Sequence, residues 1–292
     1  MKKRSQIVTN ESTILSDGAW GTNLQYKGLE TGECPEAWNL NHPDLVEEVA
    51  RDFINAGAQL VKTNSFGGNR IKLEQHDLGE KTSEINRLAA EISKKAAGDK
   101  VLVMASIGPT GKMLITGEVT EEDLYEIFKQ QAVALEQGGA DVILVETMSD
   151  LEEARIAVQA AKDNTALEIA CTMTFEKTVE GNYRTMMGIA PADMFPVIPD
   201  AGASFIGANC GNGIERMIDV VKEIRNVNAD LPVVIHANAG MPVYEEGKTI
   251  FPETPDEMAS YVPDLVKAGA NIIGGCCGTT PEHIKKIGEK LR

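Results

Sequence analysis

Residues 268–279 have the sequence AGANIIGGCCGT, and the part before the cysteines carries the main clue to the architecture of this 292-residue chain. Gly269 stands between two alanines, a position where glycine commonly ends a helix in a left-handed conformation. The apolar residues that follow it predict a short buried strand. A glycine, an alanine and then an apolar run also occur at residues 56–58, 138–140 and 201–203. Four copies of one helix-to-strand joint predict a repeated β/α unit.

Short apolar runs alternate with helical segments along the whole chain. The eight runs are residues 13–15, 59–64, 101–107, 141–146, 168–175, 204–209, 233–238 and 271–275. Runs without polar alternation are typical of parallel strands that are buried on both faces. Because we find no linker-like segment, we expect one domain over residues 1–292, an α/β fold that forms a single (β/α)8 TIM barrel. A doubly wound sheet is the alternative, but no Gly-x-Gly-x-x-Gly follows the first run.

Composition narrows the class of protein. The net charge of −16 and the pI near 4.8 argue against nucleic acid as a partner, since that needs a positive surface. No apolar run approaches the ~20 residues of a membrane span, and no apolar signal segment follows the basic residues 1–4. Five cysteines are an odd and sparse set that suits a reducing compartment. We therefore expect a cytoplasmic protein without a membrane partner.

The cysteines suggest a metal site. Cys276 and Cys277 are adjacent and flanked by glycines, and Cys210 ends another predicted strand. Three thiolates fill three of the four positions that Zn²⁺ prefers, and catalytic zinc sites keep the fourth open. The adjacent pair also fits two small buried side chains, a strained disulfide or a redox pair. Barrel strands meet at one rim, so a barrel would bring all three thiols together and favours the metal interpretation.

Other polar residues fall at the predicted carboxyl ends of strands. Glu146 interrupts an apolar strand, where a carboxylate is costly unless it is paired, so we expect it to bind a charged partner. Asp17 precedes Gly18 after the first strand, and Asp-Gly by itself is a common turn. Asn238 ends the seventh strand. His236 lies on the same face as Asn238 because side chains alternate along a strand, and a hydrogen-bonded core histidine is the favoured interpretation.

Three further features are weaker. The segment 176–187 is a long loop that either covers the site or meets a donor, although its methionine pair at residues 186–187 more often indicates packing. Cys34 and Cys171 are interpreted as ordinary thiols.

Together these motifs resemble the homocysteine S-methyltransferase family, and most closely the N-terminal module of cobalamin-dependent methionine synthase. The matching segments are residues 17–22, 63–67, 108–111, 146–147, 209–210, 238–240 and 274–281. They run nearly from end to end in the order of the family. A Gly-Gly-Cys-Cys-Gly-Thr run with a distant Asn-Cys is highly specific in this context.

The resemblance implies a substrate and a metal. Zn²⁺ would be held by Cys210, Cys276 and Cys277, with the sulfur of homocysteine as the fourth ligand. The amino acid end of homocysteine would lie near Asp17, Gly18, Ala19 and Glu146. Asn238 would bind the substrate or lend its oxygen to zinc when the substrate is absent. A free thiol has a pKa near ~8.5 and loses its proton on a metal, so no catalytic side chain is expected beyond the zinc-activated thiol.

The methyl donor and the acceptor stay open. Folate and corrinoid modules do not fit within 292 residues, so we expect a separate methylated corrinoid protein as donor. The opening residues 17–22 and 34–39 look closer to the methionine synthase module than to enzymes that use betaine or S-methylmethionine, and the C-terminal extension of the betaine enzymes is lacking. Such a small donor, or another thiol as acceptor, is the alternative within the same reaction. Two different functions also stay open, namely a zinc-binding docking subunit for a corrinoid protein and a dithiol redox barrel without zinc.

Overall fold

The computed structural model describes residues 13–245 and 248–292, and the basic residues 1–4 considered above lie outside the described residues. In this part of the chain the strands are β1 Ile14–Leu15, β2 Leu60–Lys62, β3 Leu102–Ile107, β4 Val142–Met148, β5 Glu168–Met173, β6 Glu176–Lys177, β7 Tyr183–Arg184, β8 Phe205–Gly213, β9 Val233–Asn238, β10 Val243–Glu245, β11 Lys248–Ile250 and β12 Ile272–Gly275. All eight predicted strands are present. β6–β7 and β10–β11 are additional antiparallel hairpins.

Helices follow the barrel strands. They are α1 Trp20–Tyr26, α2 Trp38–Asn41, α3 Pro43–Asn55, α4 Arg70–Glu74, α5 Thr82–Ala97, α6 Glu121–Gln137, α7 Leu151–Asn164, α8 Val197–Ala201, α9 Ile214–Val227, α10 Pro255–Ser260, α11 Val262–Ala268 and α12 Pro281–Lys290. Short 3₁₀ turns lie at Pro35–Ala37, Gly79–Lys81, Leu114–Thr116 and Pro191–Met194. Within the described ranges, none of the helices is both long and apolar enough to cross a membrane.

Eight parallel strands form one sheet in the order β1-β12-β9-β8-β5-β4-β3-β2. A parallel bridge between Ser16 and Leu60 joins β1 to β2 and nearly closes the sheet into a barrel. The predicted (β/α)8 barrel is therefore confirmed. The joint glycines Gly57, Gly139, Gly202 and Gly269 have φ of 106°, 92°, 123° and 113°. This left-handed region favours glycine and explains why the same residue type recurs at each joint.

The barrel interior changes from apolar to polar toward the carboxyl ends of its strands. The lower layer is the apolar cluster of Leu60, Met104, Val142, Leu144, Ala170, Phe205, Val234 and Ile272. Side chains two positions further along a strand point to the same face. Two positions after Leu60, Met104, Leu144, Ala170 and Val234 lie Lys62, Ser106, Glu146, Thr172 and His236. All five are buried, so the upper layer is a polar floor inside an otherwise apolar barrel.

Candidate active site

Three thiols meet at the carboxyl rim of the barrel. The sulfur atoms of Cys210, Cys276 and Cys277 all lie within 4.8 Å of one another, and the Sγ atoms of Cys210 and Cys277 are 3.9 Å apart. All three are free thiols. Three sulfur ligands at this spacing fit a soft or borderline metal ion. The cluster is a candidate metal centre.

Backbone geometry makes this convergence possible. Cys210 has a φ of 57°, which few residues other than glycine adopt, and turns its side chain out of the regular β8 ladder. After β12 the chain leaves strand geometry, so the adjacent thiols of Cys276 and Cys277 face one point. The Cys276 N–H donates to the Ala237 carbonyl (2.7 Å), and the Ala239 N–H donates to the Cys277 carbonyl (3.0 Å). These bonds fix the turn against β9.

Hydrogen bonds among the three thiols shift their pKa values in opposite directions. The hydrogen bond from Cys276 is the largest cause that lowers the pKa of Cys210 far below its ordinary value, and the bond from Cys277 is the second. Both bonds stabilise the Cys210 thiolate. The reverse bond to Cys210 raises the pKa of Cys276. A cluster that already favours one thiolate is well prepared for a cation.

A cavity of about 250 Å³ opens above the cluster. It is lined by Gly18, Ala19, Trp20, Gly21, Thr22, Pro35, Glu36, Lys62, Thr63, Asn64, Ser65, Phe66, Ser106, Glu146, Thr147, Cys210, Gly275, Cys276 and Cys277. The predicted residues Gly18, Ala19 and Glu146 therefore lie in one cavity with the three cysteines. Asp17 and Asn238 are not part of its lining.

Glu146, at the end of β4, is a buried carboxylate without a cation beside it. Its Oε1 accepts a hydrogen bond from the Ser106 hydroxyl, and Asn209 Nδ2 lies 3.5 Å from Oε2. Within the described chain no lysine or arginine nitrogen lies within 4.0 Å of it. Burial is the main cause that raises its pKa, and the charge of Lys62 opposes the shift. A cationic ligand group would offset the cost of burying this charge.

Asp17 has a different environment from the one that its motif suggested. Its side chain is fully buried, and Oδ2 accepts hydrogen bonds from Trp20 Nε1 and from the Lys62 N–H, both 2.7 Å long. Its Oδ1 accepts a bond of 2.8 Å from Lys62 Nζ. The carboxylate is thus occupied by protein donors and contacts the cavity through Lys62 and Trp20, which both belong to its lining.

Lys62 is a residue that the sequence reasoning missed. It interrupts the apolar run of β2 as Glu146 interrupts that of β4, so the same argument would have found it. Burial, the largest effect, would lower the pKa of Lys62, but the charges of Asp17 and Glu146 outweigh it and raise the pKa. Lys62 is therefore a buried ammonium in the floor of the cavity.

Asn209 was also missed as a functional residue, although its motif was noted. Its Oδ1 accepts hydrogen bonds from the Thr147 N–H (2.8 Å) and from the Thr172 hydroxyl (2.7 Å). Its Nδ2 lies 2.7 Å from Thr147 Oγ1 and 3.8 Å from Cys276 Sγ. Thr147 has a φ of 63°, a strained value for a β-branched residue. A single amide thus links this strained residue, next to Glu146, to the thiol cluster.

Asn238 and His236 lie below the thiols. The Asn238 side chain is within hydrogen-bonding reach of the Cys210 sulfur, while its Oδ1 is buried without a partner among the described residues. His236 is fully buried as expected, but neither ring nitrogen has a partner in the described structure. The hydrogen bonds expected for this core histidine are therefore not made to any described protein group and stay a prediction. Burial, and secondarily the charge of Lys62, lowers the pKa of His236, which keeps the ring neutral.

The remaining predicted features lie away from the cavity. The loop 176–187 contains the β6–β7 hairpin and contributes no cavity lining, and Met186 is largely exposed. Cys171 is buried in the core, and its burial raises its pKa. Burial, reinforced by the charge of Glu36, raises the pKa of Cys34 to about 11. Neither cysteine belongs to the thiol cluster.

The fold and the site define a class, that of a (β/α)8 barrel with a three-cysteine candidate metal centre at its carboxyl rim. The homocysteine S-methyltransferase family model matches residues 14–291, so the chain belongs to this family.

Two curated relatives are methionine synthases. The protein from Mycobacterium leprae is 30% identical over 293 residues, which cover 95% of this chain and 24% of that protein. The protein from Mycobacterium tuberculosis is 30% identical over 296 residues, which cover 96% and 25%. The chain thus spans about a quarter of the length of these relatives.

Among solved structures, the metallated form of the homocysteine methyltransferase MmuM from Escherichia coli superimposes with a TM-score of 0.80. It is 22% identical, and the alignment covers 96% of this chain and 97% of that one. At this identity the likeness supports the barrel fold alone.

Proposed function

We propose that this protein is a zinc-dependent S-methyltransferase, with residues 1–292 acting as one domain, which transfers a methyl group to the thiol of homocysteine and forms methionine. The observation that carries the proposal is the meeting of Cys210, Cys276 and Cys277 in one cavity with the unpaired carboxylate of Glu146. Family membership supports the same reaction.

The metal in this proposal is Zn²⁺. Three cysteine ligands leave the fourth tetrahedral position for a substrate, as catalytic zinc sites require. When bound, the metal would keep a substrate thiol deprotonated and nucleophilic near neutral pH. The Asn238 amide supports the site from below, because it lies within reach of Cys210 and its unpartnered Oδ1 is available to a ligand.

The protein residues bind and orient the amino acid end of the substrate. Glu146 would accept hydrogen bonds from the substrate ammonium, which favours its ionised form despite burial. Gly18 and Ala19 form the adjoining wall. A Cβ on Gly18 would lie 2.7 Å from Thr279 Oγ1, so only glycine lets the wall approach this closely. Asp17 acts indirectly, because it fixes Lys62 in the floor.

For the methyl donor we propose a separate methylated corrinoid protein. The support is the similarity to methionine synthases and the likeness of residues 17–22 to their N-terminal module. S-methylmethionine, betaine and a different acceptor thiol are the competing assignments. The acidic charge of −16 supports the absence of nucleic acid as a partner, and five free cysteines support a cytoplasmic location.

Metal analysis and a donor panel test the proposal. The reduced protein should hold one zinc per chain, and Cys277→Ser should lose it, whereas the matched control Cys171→Ala should retain it. Homocysteine is then assayed with methylcobalamin, a methylated corrinoid protein, S-methylmethionine or betaine. Turnover with S-methylmethionine alone would overturn the corrinoid assignment. Zinc binding without transfer from any donor would indicate a docking subunit, and a reversible disulfide without zinc would indicate a redox protein.

A further inference from the structure

The ammonium of Lys62 is only partly used by the protein. Its Nζ donates to Asp17 Oδ1 at 2.8 Å and lies 3.5 Å from the Gly275 carbonyl. An ammonium has three N–H donors, so one donor has no hydrogen-bond partner among the described residues. The side chain is 7% exposed, and the residue lines the cavity. The remaining donor is therefore available to a molecule in the cavity.

Lys62 is also the only cationic residue in the cavity lining that the structure describes. Two carboxylates share this lining. Glu146 has no ion pair, while the carboxylate of Glu36 already accepts hydrogen bonds from the Gly67 N–H and the Cys34 thiol. The lining thus offers one unpaired anion and one partly free cation, which match the two charges of an α-amino acid.

Two other donors near the thiols are occupied by protein acceptors. The Ala19 N–H, which belongs to the cavity wall, donates to Thr279 Oγ1 at 3.0 Å. Trp20 Nε1 is bonded to Asp17. An α-amino acid whose ammonium is bound to Glu146 would place its carboxylate in the same cavity. Lys62 is the cationic group that this carboxylate could reach there.

We propose that Lys62 is a specificity-determining residue that binds the carboxylate of the substrate, so that the cavity selects α-amino-acid thiols over amine thiols without a carboxylate. Asp17 holds the Lys62 ammonium in place, and its negative charge offsets the cost of burying that ammonium. The inference rests on the proposed function and assigns to this chain's Lys62 a role that no sequence motif indicated.

Ligand binding tests this without a turnover assay. Isothermal titration calorimetry compares methionine with 3-(methylthio)propylamine, which lacks only the carboxylate. Because a hydrogen bond to a charged group is strong, the native protein should bind methionine about 10- to 100-fold more tightly. Lys62→Met alone would leave the buried Asp17 carboxylate without its cation and would threaten folding. The double variant Asp17→Asn/Lys62→Met removes both charges and keeps an acceptor for Trp20.

The double variant should lose the preference for methionine while its affinity for the amine stays within about twofold of native. Glu146→Gln, the matched control, should weaken both ligands because both carry the ammonium. If the double variant keeps the preference for methionine, whether or not both affinities fall, the role proposed for Lys62 is overturned. That outcome leaves the homocysteine assignment untouched. A native protein that binds neither ligand overturns the homocysteine assignment as well.

Discussion

Replacement of Asn209 by alanine tests how the carboxylate of Glu146 is held in the cavity. The change leaves two donors without their acceptor, the partly buried Thr147 N–H and the buried Thr172 hydroxyl. An unsatisfied buried group costs about 1–3 kcal/mol and a partly buried group costs less, so the free energy of unfolding should fall by about 1–5 kcal/mol. Thr147, no longer held at its φ of 63°, should then relax and move Glu146.

A second substitution separates strain from stability. Threonine in the left-handed region costs about 1–3 kcal/mol, whereas glycine adopts this region freely. In Asn209→Ala, adding Thr147→Gly should restore the affinity for methionine by about tenfold, since 1.4 kcal/mol corresponds to a factor of ten. It should not restore full stability, because the Thr172 hydroxyl still lacks its acceptor.

Urea titration gives the free energy of unfolding, and calorimetry gives the dissociation constant of methionine for the native protein, both single variants and the double variant. Thr147→Gly alone should change binding little, because Asn209 still holds residue 147 through its N–H. If the double variant binds methionine no better than Asn209→Ala, the strained backbone does not position Glu146 and the reasoning is refuted.

Three further predictions concern the wall, the metal and pH. Gly18→Ala places a Cβ 2.7 Å from Thr279 Oγ1 and should lower the free energy of unfolding by about 1–3 kcal/mol in urea titration. The control Gly21→Ala, whose Cβ would have no atom within 4 Å, should not lower it. Asn238→Ala should lose zinc faster to a chelator; unchanged retention and unchanged homocysteine affinity would remove its assigned role. Burial lowers the pKa of His283 below 6.5, so the unfolded chain binds the proton first and native stability falls as pH drops below 6.5. His283→Gln should flatten this decline as the pH falls through and below 6.5, and an unchanged slope in urea titrations would contradict it.

The architecture could be predicted because its signals are local. The glycine joints indicate where each helix ends, and the apolar runs indicate where each strand begins. The repetition of this unit predicts the barrel. Strand limits were less accurate. β8 continues to Gly213, beyond the predicted end at residue 209, because the left-handed Cys210 makes the ladder irregular rather than ending it.

The site could be predicted only in part. The cysteines and Glu146 stand out from their neighbours in type, and Lys62 stands out in the same way once a buried ammonium is considered. The role of Asn209 depends on its hydrogen bond to Thr147, which lies 62 positions away in β4. The positive φ of Thr147 cannot be predicted from composition or from residue spacing. The unpartnered nitrogens of His236 likewise depend on what the other strands place around the ring.

The seam between the first and second strands has a consequence for the whole ring. Only one bridge, Ser16 to Leu60, joins β1 to β2 in the described structure, and the Asp17 carboxylate extends the seam by accepting a hydrogen bond from the Lys62 N–H. The closure of the barrel and the ammonium in its floor thus depend on the same two residues. Occupancy of the cavity should therefore slow amide hydrogen exchange along this seam, far more than along the well-paired ladder between β8 and β9.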